Sequence, residues 1–422
     1  MIKVLASTWA LLLGVMLLMV GNGIQGTLLG IRGANEGFST LEISIVMSAY
    51  FLGFLGGSRM APEMIRRVGH VRVFAALASM ISAVLILFPS YAAPWAWIIE
   101  RVVIGFCFSA VYVTAESWLN NAVTNEIRGK ALSLYMIVQM TGIVAAQGLL
   151  VIPDETGFLL FVIPSVLVSI SFAPILLNVQ PTPAFETTKA MSLLQLYTIS
   201  PLGVVGAFLL GGANAATFGM AAVFATQAGL SVGQTSGFVA SIFVGGLVMQ
   251  YPIGWISDRM DRRMLIAMIA MLGGIGAIFG FVYGDAYTAV LAAGFAIGGM
   301  TNPLYSLLIA YTNDFLEPED MAAASGGLIF VNGVGAIAGP IVTGWFMGLI
   351  GPTGFFIYIG GLMAAITGYA FWRMTRRPST PVDETTSYTP VLSSSTPVAM
   401  EAAQEVFIEN IDDERGDAET AA

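Results

Sequence analysis

The sequence predicts an all-α polytopic membrane protein: twelve transmembrane helices in two six-helix bundles related by an internal repeat. Three observations carry that prediction. Hydrophobic residues make up 56% of the 422 residues and charged residues only 10%, with a mean hydropathy of +0.81, whereas a soluble domain carries about 25% charge. The apolar residues gather into runs of about 20 or more, the length that crosses a bilayer. Polar landmarks of the first half recur in the second at an offset near 193 residues.

Each run is bounded by charge, Pro or Gly. The first, after Lys3, meets no small-x-small cleavage step and reads as a retained helix over 4–29. Five more follow at 42–64, 71–90, 94–118, 130–151 and 156–178. A second set falls at 195–223, 235–256, 264–283, 286–312, 323–347 and 351–372. The polar stretch QPTPAFETTK separates the sets, giving a first bundle over 1–180, a cytoplasmic linker over 181–194 and a second bundle over 195–377. The runs are continuous rather than alternating, which argues against a β-barrel.

Charge placement tests this map. With both termini cytoplasmic, one face collects Lys3, Arg59, Arg66, Arg67, Arg72, Arg128, Lys130, Lys189, Arg259, Arg262, Arg263, Arg373, Arg376 and Arg377, and the other only Arg32. Cytoplasmic loops carry such an excess, and a missed span would mix the two groups. The expected setting is a bacterial inner membrane.

From 378 to 422 the chain turns Ser/Thr/Pro-rich and then acidic, and a disordered cytoplasmic tail is expected because little apolar side chain is available to offset ordering entropy. Residues 383–419 hold ten acidic groups and Arg415, a net of −9 that equals the charge of the whole chain. Within it AQEVFIENI can form a helical patch for a partner, or the tail is solvated.

Composition also excludes classes of function. One cysteine (Cys107) and one histidine (His70) cannot build a disulfide, a Cys/His metal cluster or a Cys–His nucleophilic pair. No Walker motif or HExxH occurs. No enzyme, cofactor, metal site or nucleic-acid partner is expected.

The repeat is visible in particular residues. GNGIQG with Asn22 and Gln25 in the first run is echoed by GGANAA with Asn214 in the seventh. Gly105 after Ile104 is matched by Gly298 after Ile297, and Gln139 three before Gly142 by Asn332 three before Gly335. Two matching bundles around one midplane site are what alternating access requires.

The loop after the eighth run reads GWISDRMDRR. With the repeat, it resembles the major facilitator superfamily of secondary transporters over about Met1 to Arg377. Gly254, Asp258, Arg259, Arg262 and Arg263 match the family's cytoplasmic loop motif position by position. The resemblance implies that these residues brace a helix end and help hold an outward-open form. The first-half counterpart departs from the motif: after Gly57, Ala61 and Pro62 stand where it has Asp and Arg, and Glu63 is a candidate substitute. The stretch PEMIRRVGHVRVF is most similar to the uncharacterised bacterial YcaD-like branch. The family's first, fourth, seventh and tenth helices line its cavity.

Intramembrane polar groups supply the candidate site, because each is expensive in a bilayer. Arg101, with Gly105 one turn below, either attracts an anionic solute or coupling carboxylate, or else pairs with Glu100 or snorkels toward the outer interface. Glu116, about 22 Å further down the helix, is expected to brace the loop charges at the helix end. Asn22, Gln25, Gln139, Asn214, Asn302, Tyr305 and Asn332 form the candidate substrate-binding or coupling set. The competing reading of each amide is interhelical glue. The expectation is secondary transport of a small polar or organic-anion solute, with or without a coupling proton or ion, by a monomer in the lipid bilayer. Two alternatives stand beside it. One is export of amphipathic or drug-like compounds; the other is a transporter-like assembly or sensory protein acting through its acidic tail.

Overall fold

Caps and prolines fix where the helices begin. Ser39 Oγ accepts the Glu42 N–H at 3.3 Å while the Glu42 carboxylate accepts the Ser39 N–H at 2.8 Å, a reciprocal capping box that satisfies two orphan donors. Ser192 with Gln195 and Ser231 with Gln234 repeat it. Pro94, Pro201 and Pro318 occupy first turns, where the missing N–H costs nothing. Gly69, at φ 84°, makes the tight turn between the second and third helices.

The computed structural model describes residues 2–123, 125–154, 157–176 and 191–376, with 381, 385, 388–392, 396, 398 and 399. Among them are fourteen helical segments: α1 Ile2–Asn35, α2 Thr40–Val68, α3 His70–Ser90, α4 Pro94–Ala122, α5 Asn125–Leu149, α6 Leu159–Ser171, α7 Ala173–Leu176, α8 Leu193–Ile199, α9 Pro201–Gln227, α10 Val232–Ser257, α11 Arg262–Tyr283, α12 Tyr287–Asn313, α13 Pro318–Ile350 and α14 Gly354–Met374. The protein is all-α and polytopic. The linker expected over 181–194 lies outside the described residues up to 190.

Ten of these helices are long and apolar enough to cross a membrane, which corrects the expectation of twelve uniform spans. The sixth run breaks at Phe172 into α6 and the four-residue α7. The tenth run, α12, has 27 residues but carries Thr301, Asn302 and Pro303 midway, which dilute its hydropathy. A helix surrounded by other helices, as α12 is, can hold such groups without exposing them to lipid. The seventh run also divides, at Ser200–Pro201, leaving α8 as a separate short helix.

The repeat noticed in the sequence returns as packing. A Cβ on Gly105 would fall on the carbonyl oxygen of Tyr50, and one on Gly298 on that of Ile242. Gly53 meets Val102 O as Gly245 meets Phe295 O; Gly335 lies against the carbonyl of Phe208, and Gly142 against Met19 and Met16. Thus α2 packs on α4 as α10 packs on α12, and α1 on α5 as α9 on α13. Small residues let these backbones approach, the main source of helix association in lipid.

The two halves meet along α1, α2, α9 and α13, and α5 packs against α10. On the face opposite the basic loops, Gln227 Nε2 donates to Thr40 Oγ1 at 2.8 Å. Gly30 lies against Ala222 and Val223, Gly344 lies against Ser44, and Ser48 Oγ donates to the Ile337 carbonyl. This side is packed shut. Most of the acidic segment expected to be disordered lies outside the described residues. Its described part, Tyr388–Leu392 with Thr396, Val398 and Ala399, sits between the halves on the basic side, with Val391, Leu392, Thr396, Val398 and Ala399 all buried.

Candidate functional site

Between the halves lies a cavity of about 1080 Å³, including its open mouth. Both halves contribute: Asn22 from α1, Tyr50, Phe51 and Phe54 from α2, Tyr112 from α4 and Gln139 from α5; then Asn214 and Phe218 from α9, Phe243 from α10, Thr301 and Asn302 from α12, and Asn332 from α13. Among the described lining residues none is charged. Its outer wall is an aromatic layer crossing the interface, with Phe218 5.7 Å from Tyr50 and 6.1 Å from Phe51 between ring centroids. An apolar cavity with a few placed polar groups is the general form of a small-molecule site.

The amides differ in how far their bonds are already taken. Asn332 Nδ2 donates to the Ala207 carbonyl at 3.1 Å and Asn302 Nδ2 to Gly298 O at 3.2 Å; both also stitch helices or turns. Asn22 Nδ2 donates to Tyr112 Oη at 2.8 Å. Asn214 Nδ2 and Thr301 Oγ1 have no hydrogen-bond partner among the described residues. A buried polar atom in that position costs free energy until something pairs with it, and both residues line the cavity.

Arg101 is placed otherwise than an anion-attracting residue would be. It is 0% exposed and lies behind the cavity wall rather than in it. Its guanidinium donates to Gln25 Oε1, sits 4.7 Å from the Tyr50 ring centroid and contacts Met47 Sδ at 3.6 Å. Gln25 Nε2 in turn donates to Asn22 Oδ1 at 2.9 Å. The chain Arg101–Gln25–Asn22–Tyr112 therefore fixes which end of the Asn22 amide faces the cavity. Gln25 and Tyr305, both expected in the cavity, are fully buried away from it.

The loop motif braces helix ends mainly through one residue. Arg262, buried at the start of α11, donates to Asp314 and, at 3.3 Å, to Ala310 O at the end of α12, and to Ser257 Oγ at the end of α10 at 3.2 Å. Three helix ends are joined by one guanidinium. Arg263 pairs with Asp261 at 2.8 Å. Burial alone would raise the Asp261 carboxyl, but its hydrogen bonds from Arg263 outweigh this and hold it below the ordinary carboxylate value. Arg259 stays on its own helix, over the Trp255 ring at 4.2 Å. In the first half Glu63 takes Arg66 and Arg67 at 2.8 and 2.6 Å, also within one helix. Glu116 accepts from Tyr135 Oη at 3.3 Å and from the Thr396 N–H at 3.1 Å, so its bracing runs to the tail.

Sequence reasoning missed the aromatic wall, Thr301 and the tail contacts. Thr301 stood beside Asn302 and could have been read with it; the aromatics looked like ordinary apolar residues. Residues 229–233 read GLSVG, the spacing of a nucleophile elbow. Ser231, however, caps α10 and follows a helix rather than a strand. His70 opens α3 and lies buried with Nε2 2.9 Å from Ser117 Oγ.

Two packed halves, shut on one side and enclosing an uncharged cavity, define a membrane transporter of the alternating-access class. The chain belongs to the Major Facilitator Superfamily, whose model matches residues 11–245 and 203–406. It is similar to the uncharacterized MFS-type transporter YcaD of Escherichia coli O6:K15:H31, 28% identical over 350 residues covering 80% of this chain and 88% of that one. The Escherichia fergusonii YcaD protein is 26% identical over 345 residues, with the same coverage. Among solved structures, the nucleoside transporter NupG (D323A mutant) superposes with a TM-score of 0.72 at 13% identity, covering 86% of this chain and 98% of that one. A bacterial homologue of the human lysosomal transporter Spinster, inward-facing and unoccupied, gives 0.64 at 15% identity, covering 96% and 98%. At those identities the structural likeness shows the fold alone. The protein is a multi-pass bacterial inner-membrane transporter, not an enzyme, and moves a small solute across the membrane by alternating access. Nothing in these relatives favours the assembly or sensory reading.

Proposed function

We propose that the solute is an uncharged or amphipathic molecule with an aromatic or other planar apolar part, bound in the central cavity. One observation carries this: rings, amides and aliphatic side chains line the cavity, none of the described lining residues is charged, and Arg101 is sealed behind the wall. The rings supply apolar and stacking surface, while Asn214 Nδ2 and Thr301 Oγ1 offer unused hydrogen-bonding capacity. Arg101 is then a positioning residue for Asn22, and the organic-anion reading yields to the amphipathic one.

In this reading α12 and the α6–α7 pair complete twelve crossings, six in each of two bundles, with both termini and the basic loops in the cytoplasm. The one-sided placement of fourteen Lys and Arg residues supports it. A monomer suffices, since one chain supplies both walls of the cavity.

A thermal-shift screen of the detergent-purified protein against metabolites, amino acids and drug-like compounds tests the proposal, because a ligand of the folded state raises the melting temperature. The expected hits are neutral or amphipathic and lose their shift in Asn214→Ala. Hits confined to carboxylates, with shifts abolished by Arg101→Gln, overturn it.

A further inference from the structure

The tail contacts are too specific for a solvated segment. Beyond α14, the described residues Tyr388–Leu392, Thr396, Val398 and Ala399 lie in the crevice on the basic side and contact both halves. Tyr388 N–H donates to Asp258 Oδ1 at 2.8 Å, and its hydroxyl accepts from Gln250 Nε2 at 2.9 Å. Its ring lies over Gly254, where a Cβ would collide with it. Val391 makes a two-way bond with Ser306 of α12: its N–H donates to Ser306 Oγ at 2.9 Å and its carbonyl accepts from that hydroxyl at 2.8 Å. These anchors belong to the second half.

The next residues engage the first half. Leu392 packs with Met136 and Met140 of α5, and Thr396 donates to the carboxylate of Glu116 on α4 through both its N–H and its hydroxyl. Leu392 is also part of the wall of the central cavity. The segment thus fills the space between α4–α5 and α10–α12 while the outer side is shut. Movement that closes this crevice would require the segment to leave.

We propose that Tyr388–Leu392, with Thr396, Val398 and Ala399, form an autoinhibitory strap: these residues occupy the inward-facing crevice, hold the two halves apart there, and compete with solute for the cavity through Leu392. The strap acts as a tethered ligand that binds one of the two arrangements, and such a ligand shifts the population toward the arrangement it binds. The twelve-residue step from Arg376 to Tyr388 reaches at most about 40 Å, so the strap's effective concentration at the crevice is that of a short intramolecular linker. Its polar anchors, Asp258, Gln250, Ser306 and Glu116, are divided between the halves, so letting go of either half releases the brake. The inference rests on the alternating-access reading but on no particular solute.

Distance measurement by pulsed electron paramagnetic resonance tests it without a substrate. Spin labels at Leu41→Cys and Val232→Cys, both exposed beside the outer Thr40–Gln227 contact, report opening of the outer side in lipid nanodiscs; buried Cys107 is replaced by Ala. The full chain is expected to show one dominant short distance. Val391→Pro with Leu392→Asp, which removes the donor to Ser306 and places a charge at the cavity wall, is expected to raise the long-distance population about fivefold or more, the low end of ordinary allosteric coupling. A synthetic peptide of residues 385–399 added to that variant is expected to restore the short distance. Identical distance distributions in native and variant chains, both with unchanged melting temperatures, overturn the strap. The measurement contains no solute, so that failure would leave the cavity proposal standing, just as a failed ligand screen would leave the strap standing.

Discussion

Replacing Gly105 with alanine sets two physical terms of opposite sign against each other. Local propensity favours the change: alanine inside a helix is better than glycine by roughly 0.5–1 kcal/mol. Tertiary packing opposes it, because the new Cβ lands on the Tyr50 carbonyl oxygen of α2, a backbone atom that cannot rotate away. The helices must part, and a gap of about 0.5–1 Å forfeits a quarter to a half of the dispersion attraction at each contact along the seam. Overpacking of a tight interface costs about 1–3 kcal/mol, so the packing term wins and the expected net loss is about 1–2 kcal/mol. For a large domain each kcal/mol is worth about 2–4 °C; detergent-solubilised Gly105→Ala should therefore melt a few degrees lower. Gly298→Ala should behave alike, since its Cβ meets Ile242 O in the second half. Gly148, a helical glycine with nothing within 4 Å of a built Cβ, is the control and should be neutral or slightly stabilised by alanine. If Gly105→Ala and Gly298→Ala melt as high as Gly148→Ala, the close α2–α4 and α10–α12 seams are wrong.

Three other expectations are as direct. Arg262→Ala removes the buried guanidinium that joins Asp314, Ala310 O and Ser257; about 3–5 kcal/mol should be lost, read as a drop in melting temperature, and Arg262→Leu with Asp314→Leu should recover most of it. Asn214→Ala and Thr301→Ala should each weaken a ligand found by thermal shift about tenfold, the worth of one hydrogen bond, while leaving the melting temperature of the empty protein within a degree or so. The Asp261 carboxyl is held low in the folded state, so its contribution is present above the unfolded value near pH 4 and is lost as pH falls through the folded value. Asp261→Asn should flatten the fall of melting temperature below about pH 4, and an unchanged slope would remove that carboxylate from the account.

The sequence by itself determined the class of fold and the order of its helices along the chain. Those are consequences of solvent: apolar runs of bilayer length have one stable environment, and their order along the chain is covalent. It also exposed the repeat, because Gly105 and Gly298, or Gly142 and Gly335, are placed by a backbone approach that tolerates no Cβ. Several candidate residues were legible for the same reason, since Asn22, Gln139, Asn214, Asn302 and Asn332 are polar groups in runs that otherwise exclude them, and all five reach the cavity wall.

What only the tertiary structure decided is which way each of those groups faces and what it meets. Arg101 has the sequence context of a cavity residue, yet the rotation of α4 against α2 and α1 places its guanidinium beneath Tyr50 and against Gln25. Phe51, Phe54, Phe218 and Phe243 are indistinguishable in sequence from lipid-facing aromatics; they become part of the cavity wall because the two halves meet there. Glu116 is expected to brace loop charges at its helix end, while its carboxylate takes Thr396, 280 residues away. Hydropathy records how much each residue resists water; facing and distant pairing follow from how helices cross, and no run of one helix contains that information.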